Sequence, residues 1–427
     1  MTLAELIPSL GVSLRAARLD ADLWPASARW GEHGDLLIGG VRAGTVAAAH
    51  GTGVHLLDGA DVRARCAAYA AGFGSDAVAY SARAGLTVGT GRWIAGEGLG
   101  CHVGSAAELR TALVAGFRPE RIVMSGSGKS VADREAAYAC GAALVVGTPA
   151  EIQAVIARAP AGQRVFLRVV PSAVGGRHAR YGFRPGSRSA LAAVEALLAR
   201  RDLRPVGVDC SAGHRISRFG AFENCLRDAM EFGARVYARH GLAIGAVNLG
   251  GGQAVPCASG DDGFAVAPFA ARMRALMRLA ADRHRMPEPR LTVSPGRSVT
   301  ARAGVALHRV TSVTVVDGVL RAGVDGNLGC GPHVDCAGRH ATALIGRVSS
   351  ARALPASLTG EPPVRAGGTL TGSELPADTA VGDLIAIAGV GAYHGRGAGP
   401  TVLGVGDGVV RTLAARESWE RLLQDAA

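Results

Sequence analysis

Lysine is almost absent from this chain. Of its 46 basic side chains only Lys129 is a lysine, so the other 45 are arginines. One side chain is therefore available to offer an ε-amine to a carbonyl, because a guanidinium stays protonated and delocalised. Aromatic residues are sparse, at 4%, too few to interleave with the scattered arginines as a stacking surface. Nucleic acid is not an expected partner. The eight cysteines run from Cys66 to Cys336 without a C-x-x-C pair, which argues against a disulfide framework and for reduced thiols in the cytoplasm. No apolar run reaches the ~20 residues of a membrane helix, and Met1-Thr2-Leu3-Ala4-Glu5 lacks the basic start of a signal peptide. What is abundant is glycine, with 61 residues, and positive charge, with a formal net of +11. That charge predicts a solvated basic surface, and an acidic protein is the macromolecular partner it would suit.

The length suggests two domains. From residue 78 short apolar runs alternate with amphipathic stretches. The predicted strands are Val78–Ser81, Gly100–Val103, Arg121–Ser125, Ala143–Val146, Arg164–Val170, Val206–Cys210, Ala246–Leu249 and Arg290–Val293. Ser105 to Glu108 and Thr148 to Glu151 read as capping boxes, the second with Pro149 at the first helical position. This alternation predicts a (β/α)8 TIM barrel rather than a doubly wound sheet, since no G-x-G-x-x-G follows the first strand. After Arg297 the pattern turns to short strands and turns. Val305–Val316 and Val319–Val324 flank the hairpin signal Asp317-Gly318, and further runs lie at Ala341–Val348, Asp383–Val390 and Gly408–Thr412. The expected layout is an N-terminal segment, 1–44, joining a β-sandwich or β-barrel domain through a strand at Leu36–Ile38, a barrel over 45–297, and the C-terminal β domain over 298–427.

The loops after the seventh and eighth predicted strands carry the clearest chemistry. Gly250, Gly251 and Gly252 follow one, and Pro295-Gly296-Arg297 follows the other. Alone, a glycine triplet is a tight turn. Two such loops at the C-terminal end of a barrel let backbone N–H groups close on a phosphate.

Other segments make a family resemblance specific. Gly98-Leu99-Gly100-Cys101-His102-Val103-Gly104-Ser105-Ala106-Ala107-Glu108-Leu109, Ala115-Gly116-Phe117-Arg118-Pro119-Glu120-Arg121-Ile122-Val123, Leu249 to Gly252, Pro295 to Arg297 and Gly391-Ala392-Tyr393 stand in the order found in fold-type III pyridoxal-phosphate enzymes. They resemble the diaminopimelate/ornithine decarboxylase branch of this alanine racemase-like fold, from about residue 35 to about 395. The resemblance implies pyridoxal phosphate as cofactor. Its phosphate would be held by Gly250, Gly251, Gly252, Gly296, Arg297 and Tyr393. A dimer with shared active sites is also implied.

Against that pattern several positions differ. The family's Y-x-x-K-A-N reads Tyr80-Ser81-Ala82-Arg83-Ala84-Gly85, so Arg83 stands where the Schiff-base lysine is expected and cannot replace it. The family's H-x-G-S reads Ser211-Ala212-Gly213-His214, its strand-two aspartate is His102, and the glutamate before P-G-R is Ser294. The C-E-S-x-D segment is matched only loosely by Gly372 to Asp378, and the R-P clamp is Gly331-Pro332. His102 and His214 are candidate catalytic residues as an acid–base pair at the barrel mouth, with Arg83 contributing charge and His394 nearby. Lys129, in Ser125-Gly126-Ser127-Gly128-Lys129-Ser130, is expected to be structural. Cys330, His333, Cys336 and His340 form a compact C-x-x-H-x-x-C-x-x-x-H spacing, a candidate zinc or iron site weighed against a simple Gly-rich loop.

Three functions follow. The first is a decarboxylase-like protein whose barrel mouth binds or transforms an anionic, amino-acid-derived or phosphorylated small molecule without a lysine-bound cofactor. Its ligand could be presented by an acidic carrier protein bearing phosphopantetheine. The second is a non-catalytic partner of an active paralogue in a heterodimer, against a homodimer. The third is a conventional pyridoxal-phosphate-dependent amino-acid decarboxylase.

Overall fold

The computed structural model describes residues 19–175, 179–328, 338–360, 369–393 and 399–416. Two compact units divide the chain: residues 63–254 with 263–298, and residues 1–62, 255–262 and 299–427.

The second of these opens with three short strands, β1 Arg29–Trp30, β2 Leu36–Ile38 and β3 Val41–Arg42, forming a small antiparallel sheet of their own. The strand that joins the main β domain is instead β4, Val54–Asp58, which pairs with β13 and β19. Leu36 and Ile38 pack into the same core as Val54 and Val305 without sharing their sheet. The expected joining strand is thus displaced by one element. β4 is buried along its whole length, which a central strand requires.

The eight strands of the other unit are β5 Ala79–Ser81, β6 Gly100–Val103, β7 Ile122–Met124, β8 Ala143–Val146, β9 Arg164–Arg168, β10 Arg204–Asp209, β11 Ala246–Asn248 and β12 Arg290–Thr292. All neighbours are parallel. Ala79 N–H donates to Val293 O at 3.0 Å and Val293 N–H to Ala77 O at 3.0 Å, closing the sheet into a barrel. Helices on its outside cover Tyr80, Cys101, Ile122, Leu167 and Val247, all buried. The predicted strands agree with these to within two residues at each end.

Both capping boxes form only one of their two bonds as drawn from sequence. Ser105 and Thr148 accept from Glu108 N–H and Glu151 N–H at 3.2 Å. The glutamate side chains reach one residue further back, to Gly104 N–H at 2.7 Å and Gly147 N–H at 2.8 Å. The loop N–H just before each cap is thereby satisfied, and Glu151 keeps an oxygen for other work.

Returning to the β unit, the strands after the barrel are β13 Gly304–Val316, β14 Val319–Val324, β15 Thr342–Ile345, β16 Ala353–Thr359, β17 Thr369–Pro376, β18 Leu384–Ala388, β19 Thr401–Gly406 and β20 Val409–Ala414. Asp317 and Gly318 take φ of 52° and 76° in the hairpin turn, where Val316 pairs with Val319. The long β13 serves two cores. Val305 and Leu307 face one, and Ala306 and Val310 face the other, as period-2 alternation dictates. Cys66, Cys101, Cys140, Cys210 and Cys225 are free thiols, but Cys257 is disulfide-bonded. This corrects the expectation of uniformly reduced cysteines, at a position that belongs to the β unit.

Candidate active site

The barrel places its two glycine loops side by side. Gly250 and Gly252 have φ of 79° and 95°, conformations that an L side chain avoids. Close packing also excludes one. A Cβ on Gly250 would lie 2.7 Å from Cys210 O, on Gly251 2.4 Å from Ser294 O, and on Gly252 2.2 Å from Gly213 O. The 250–252 loop is therefore wedged between the segment after β10 and the segment after β12. A Cβ on Gly296 would meet Ala84 Cβ at 2.9 Å and Ser81 Cβ at 3.1 Å. This seats Pro295-Gly296-Arg297 against the turn Ala82–Ala84 that follows β5. Ser81 N–H donates to Pro295 O at 2.8 Å, and Tyr80 Oη donates to Gly85 O at 2.8 Å. Arg83 is exposed on that turn, and Arg297 is buried.

Below the cradle lies a polar layer that the sequence reading missed. Arg168 on β9 forms an ion pair with Asp209 on β10 and donates to Cys210 O at 3.3 Å. Asn248 on β11 donates to Asp209 Oδ1 at 2.6 Å and accepts from Gly250 N–H at 3.0 Å. Its Nδ2 also lies 3.4 Å from His102 Nε2 on β6. Asn248 Nδ2 is a donor, so it can be met by His102 Nε2 as acceptor. Burial pushes the His102 pKa down; Asp209 opposes this and Arg168 adds to it. The 250–252 loop and the segment after β10 hang from this layer, through Gly250 N–H and Cys210 O. Alternate inward positions on neighbouring strands created it, which is a signal readable only once the register is known.

Lys129 is fully engaged. Its side chain is 0% exposed, with Nζ 2.7 Å from Glu151 Oε1 and 2.9 Å from Tyr181 Oη. It also donates to Gly126 O. Tyr181 Oη in turn donates to Glu151 Oε2 at 2.8 Å. Burial lowers the Lys129 pKa while Glu151 pulls it back up, and burial with Glu151 raises that of Tyr181. A lysine in this cluster staples the segment after β7 to the helix Pro149–Arg158 and to the segment after β9.

His102 and His214 have separate surroundings. His102 is inside the barrel, whereas His214 is exposed on the loop after β10. That loop is pinned to the cradle by Ile216 N–H donating to Gly252 O at 2.9 Å, and His214 Cα lies 3.3 Å from where a Gly252 Cβ would be. They flank the cradle from two sides and are not hydrogen-bonded as an acid–base pair. Tyr393 belongs to the β unit, half-buried with φ of 57°. His340 is buried there, its Nδ1–H donating to Ala388 O at 2.7 Å. Cys330, His333 and Cys336 lie outside the described residues, as do Gly331, Pro332 and His394. Among the described residues no three His, Cys, Asp or Glu side chains gather as a metal site.

This barrel mouth has counterparts in known proteins. The family described as pyridoxal-dependent decarboxylase, pyridoxal binding domain, matches residues 59–301. The chain belongs to that family. A diaminopimelate decarboxylase of Actinosynnema pretiosum is 37% identical, over 99% of each chain. One from Mycobacterium bovis is 31% identical, over 95% of this chain and 98% of its own. Among solved structures, the diaminopimelate decarboxylase of M. jannaschi superposes with a TM-score of 0.85 at 21% identity, over 94% of this chain and 98% of that one. The barrel with a C-terminal β domain is therefore the fold of this decarboxylase family.

Pyridoxal phosphate is the cofactor the family implies, and the residues of this chain fit one end of it. The glycine cradle, closed to any Cβ, suits a phosphate. Position 83 is arginine, and Lys129 is enclosed by Glu151, Tyr181 and Gly126 O.

Proposed function

We propose that the barrel mouth holds a phosphorylated ligand of the pyridoxal class by its phosphate, without a covalent tether, and serves an amino-acid decarboxylase reaction. The cradle of Gly250–Gly252 against Ser294–Gly296 carries this reading. When bound, pyridoxal phosphate supplies an electron sink for cleavage at an amino-acid α-carbon. The chain's own part is positional and electrostatic. Backbone N–H groups of the cradle other than that of Gly250 would close on the anion, Arg83 adds positive charge on the neighbouring turn, and His102 offers a ring nitrogen able to take a proton.

The full-length likeness to proteins named diaminopimelate decarboxylase favours a decarboxylase over a protein that only binds or that serves an active paralogue. Diaminopimelate is accordingly the first substrate to test, with a second copy of the chain as the expected partner and a phosphopantetheine carrier as the alternative way of presenting substrate. The test is a titration with pyridoxal phosphate alongside carbon dioxide release from diaminopimelate. Wild type is expected to bind saturably, and Gly251→Val to lose at least about tenfold in affinity, ~1.4 kcal/mol. Equal affinity in both proteins would remove the cradle from the account. Carbon dioxide release by wild type alone supports the decarboxylase reading; binding without release in the presence of every basic or acidic α-amino acid returns the binding-only reading.

A further inference from the structure

The inside of the barrel is open along part of its wall, although inward Ala143, Val145 and Ala246 are buried. The inward-facing Ala79, His102, Val123, Phe166 and Thr292 are half-buried, whereas their outward-facing neighbours Tyr80, Cys101, Ile122, Leu167 and Leu291 are buried. A barrel filled by layers of branched side chains shows closed inward positions. Here two of them are Ala79 and Gly100, and the space they leave is not filled from the facing strands. It forms a cavity of about 70 Å³ that runs from the N-terminal strand ends to the polar layer. Arg121, Arg164 and Arg290 stand at its outer rim, and His102, Asp209 and Asn248 at its inner end.

A water needs ~10–15 Å³ of such space and two to four polar partners, so the shaft has room for a short file of waters. Its partners are suitably placed. Thr292, in register with Asn248, contributes a hydroxyl at the inner end beside the carboxylate and imidazole. His102 is half-buried, and the shaft reaches it. The rim arginines are partly committed: Arg121 donates to Ser75 O and Gly98 O, Arg164 to Glu120 O and Gly141 O, and Arg290 pairs with Asp76. These bonds tie the three guanidiniums to the loop ends around the rim.

We propose that this shaft is a water-filled proton route between solvent at the barrel floor and His102, separate from the mouth. A proton delivered to the imidazole comes from shaft water, and that water is replenished with a proton from bulk solvent at the rim. The groups facing His102 as it charges are Asp209, which favours the imidazolium, and Arg168, which opposes it. The inference depends on the barrel interior alone and stands whether or not pyridoxal phosphate binds.

The test is deuterium exchange at the imidazole C2 position, read by mass spectrometry of the peptide holding His102. The protein is measured with and without millimolar pyridoxal phosphate, and in Ala79→Leu and Val123→Phe, which plug the shaft from two different strands. His102 should exchange at the same rate, within about twofold, when the mouth ligand is present. Each plug should slow it at least about fivefold while leaving His340, a fold reporter in the other unit, unchanged. The proposal is overturned if the mouth ligand by itself stops exchange, or if neither plug slows it in a folded protein. Should both variants fail to fold, the wild-type comparison decides: exchange that persists under saturating ligand or, where no ligand binds, proceeds at pH values that leave His102 neutral supports a floor route, and absent exchange refutes it.

Discussion

Single residues decide most of what distinguishes this barrel. Lys129 is a buried cation held by Glu151 and Tyr181, so removing it leaves Glu151 charged and uncompensated. Lys129→Met should destabilise the protein by roughly 3–5 kcal/mol, and the double variant with Glu151→Leu should recover much of that loss; urea unfolding of both checks it. A Lys129→Met protein as stable as wild type would mean the cluster is solvated in solution. Asn248 is a positioning residue, because it joins Asp209 to Gly250 N–H. Asn248→Ala should speed hydrogen exchange at the Gly250 amide and weaken pyridoxal phosphate binding, whereas Asn248→Asp should restore the acceptor to Gly250 but repel Asp209. Position 83 was fully legible in the sequence, since a count of lysines needs no structure. The Arg168–Asp209–Asn248–His102 layer was not, because its members are about 40 to 65 residues apart between successive strands and only the closed register brings them together.

At the scale of elements, the barrel strands were readable because each is a short apolar run bounded by caps or turns. The caps themselves were half readable. A serine or threonine three residues before a glutamate fixes the start of a helix, but the destination of the glutamate side chain depends on the loop in front of it. Ser105→Ala should cost about 1 kcal/mol, measured as a fall in unfolding free energy. Glu151→Gln should cost more than a cap alone, since it also breaks the pair with Lys129. In the β unit the Asp317-Gly318 hairpin was legible from its dipeptide. β16, β17 and β19 were not, because their alternation is diluted by glycine, proline and serine. β2 was placed in the wrong sheet for a related reason: three apolar residues do not say which edge they join.

For the whole molecule, the family and the fold were written in the order of the motifs, while the division of labour between units was not. The β unit should limit acid stability. Burial pushes the His340 pKa down to about 4, below its value of about 6.5 in an unfolded chain. The unfolded state therefore takes up the proton first. The stability tied to the neutral ring is fully present above about pH 6.5 and is lost as pH falls towards 4, by about 3 kcal/mol for this group. His102 shifts in the same direction. Unfolding curves at pH 7 and pH 5 should differ in wild type and differ less in His340→Gln, the remainder including His102; an unchanged difference would place the acid sensitivity elsewhere. The central claim concerns the mouth of the barrel, where the proposed phosphate cradle lies beside an arginine. It is tested most directly by mass spectrometry of the protein saturated with pyridoxal phosphate, recorded under native conditions and again after borohydride treatment and denaturation. The account predicts a one-to-one complex in the native spectrum and no added mass after denaturation. A covalent adduct that survives denaturation at Lys129, or the absence of any native complex, would contradict it.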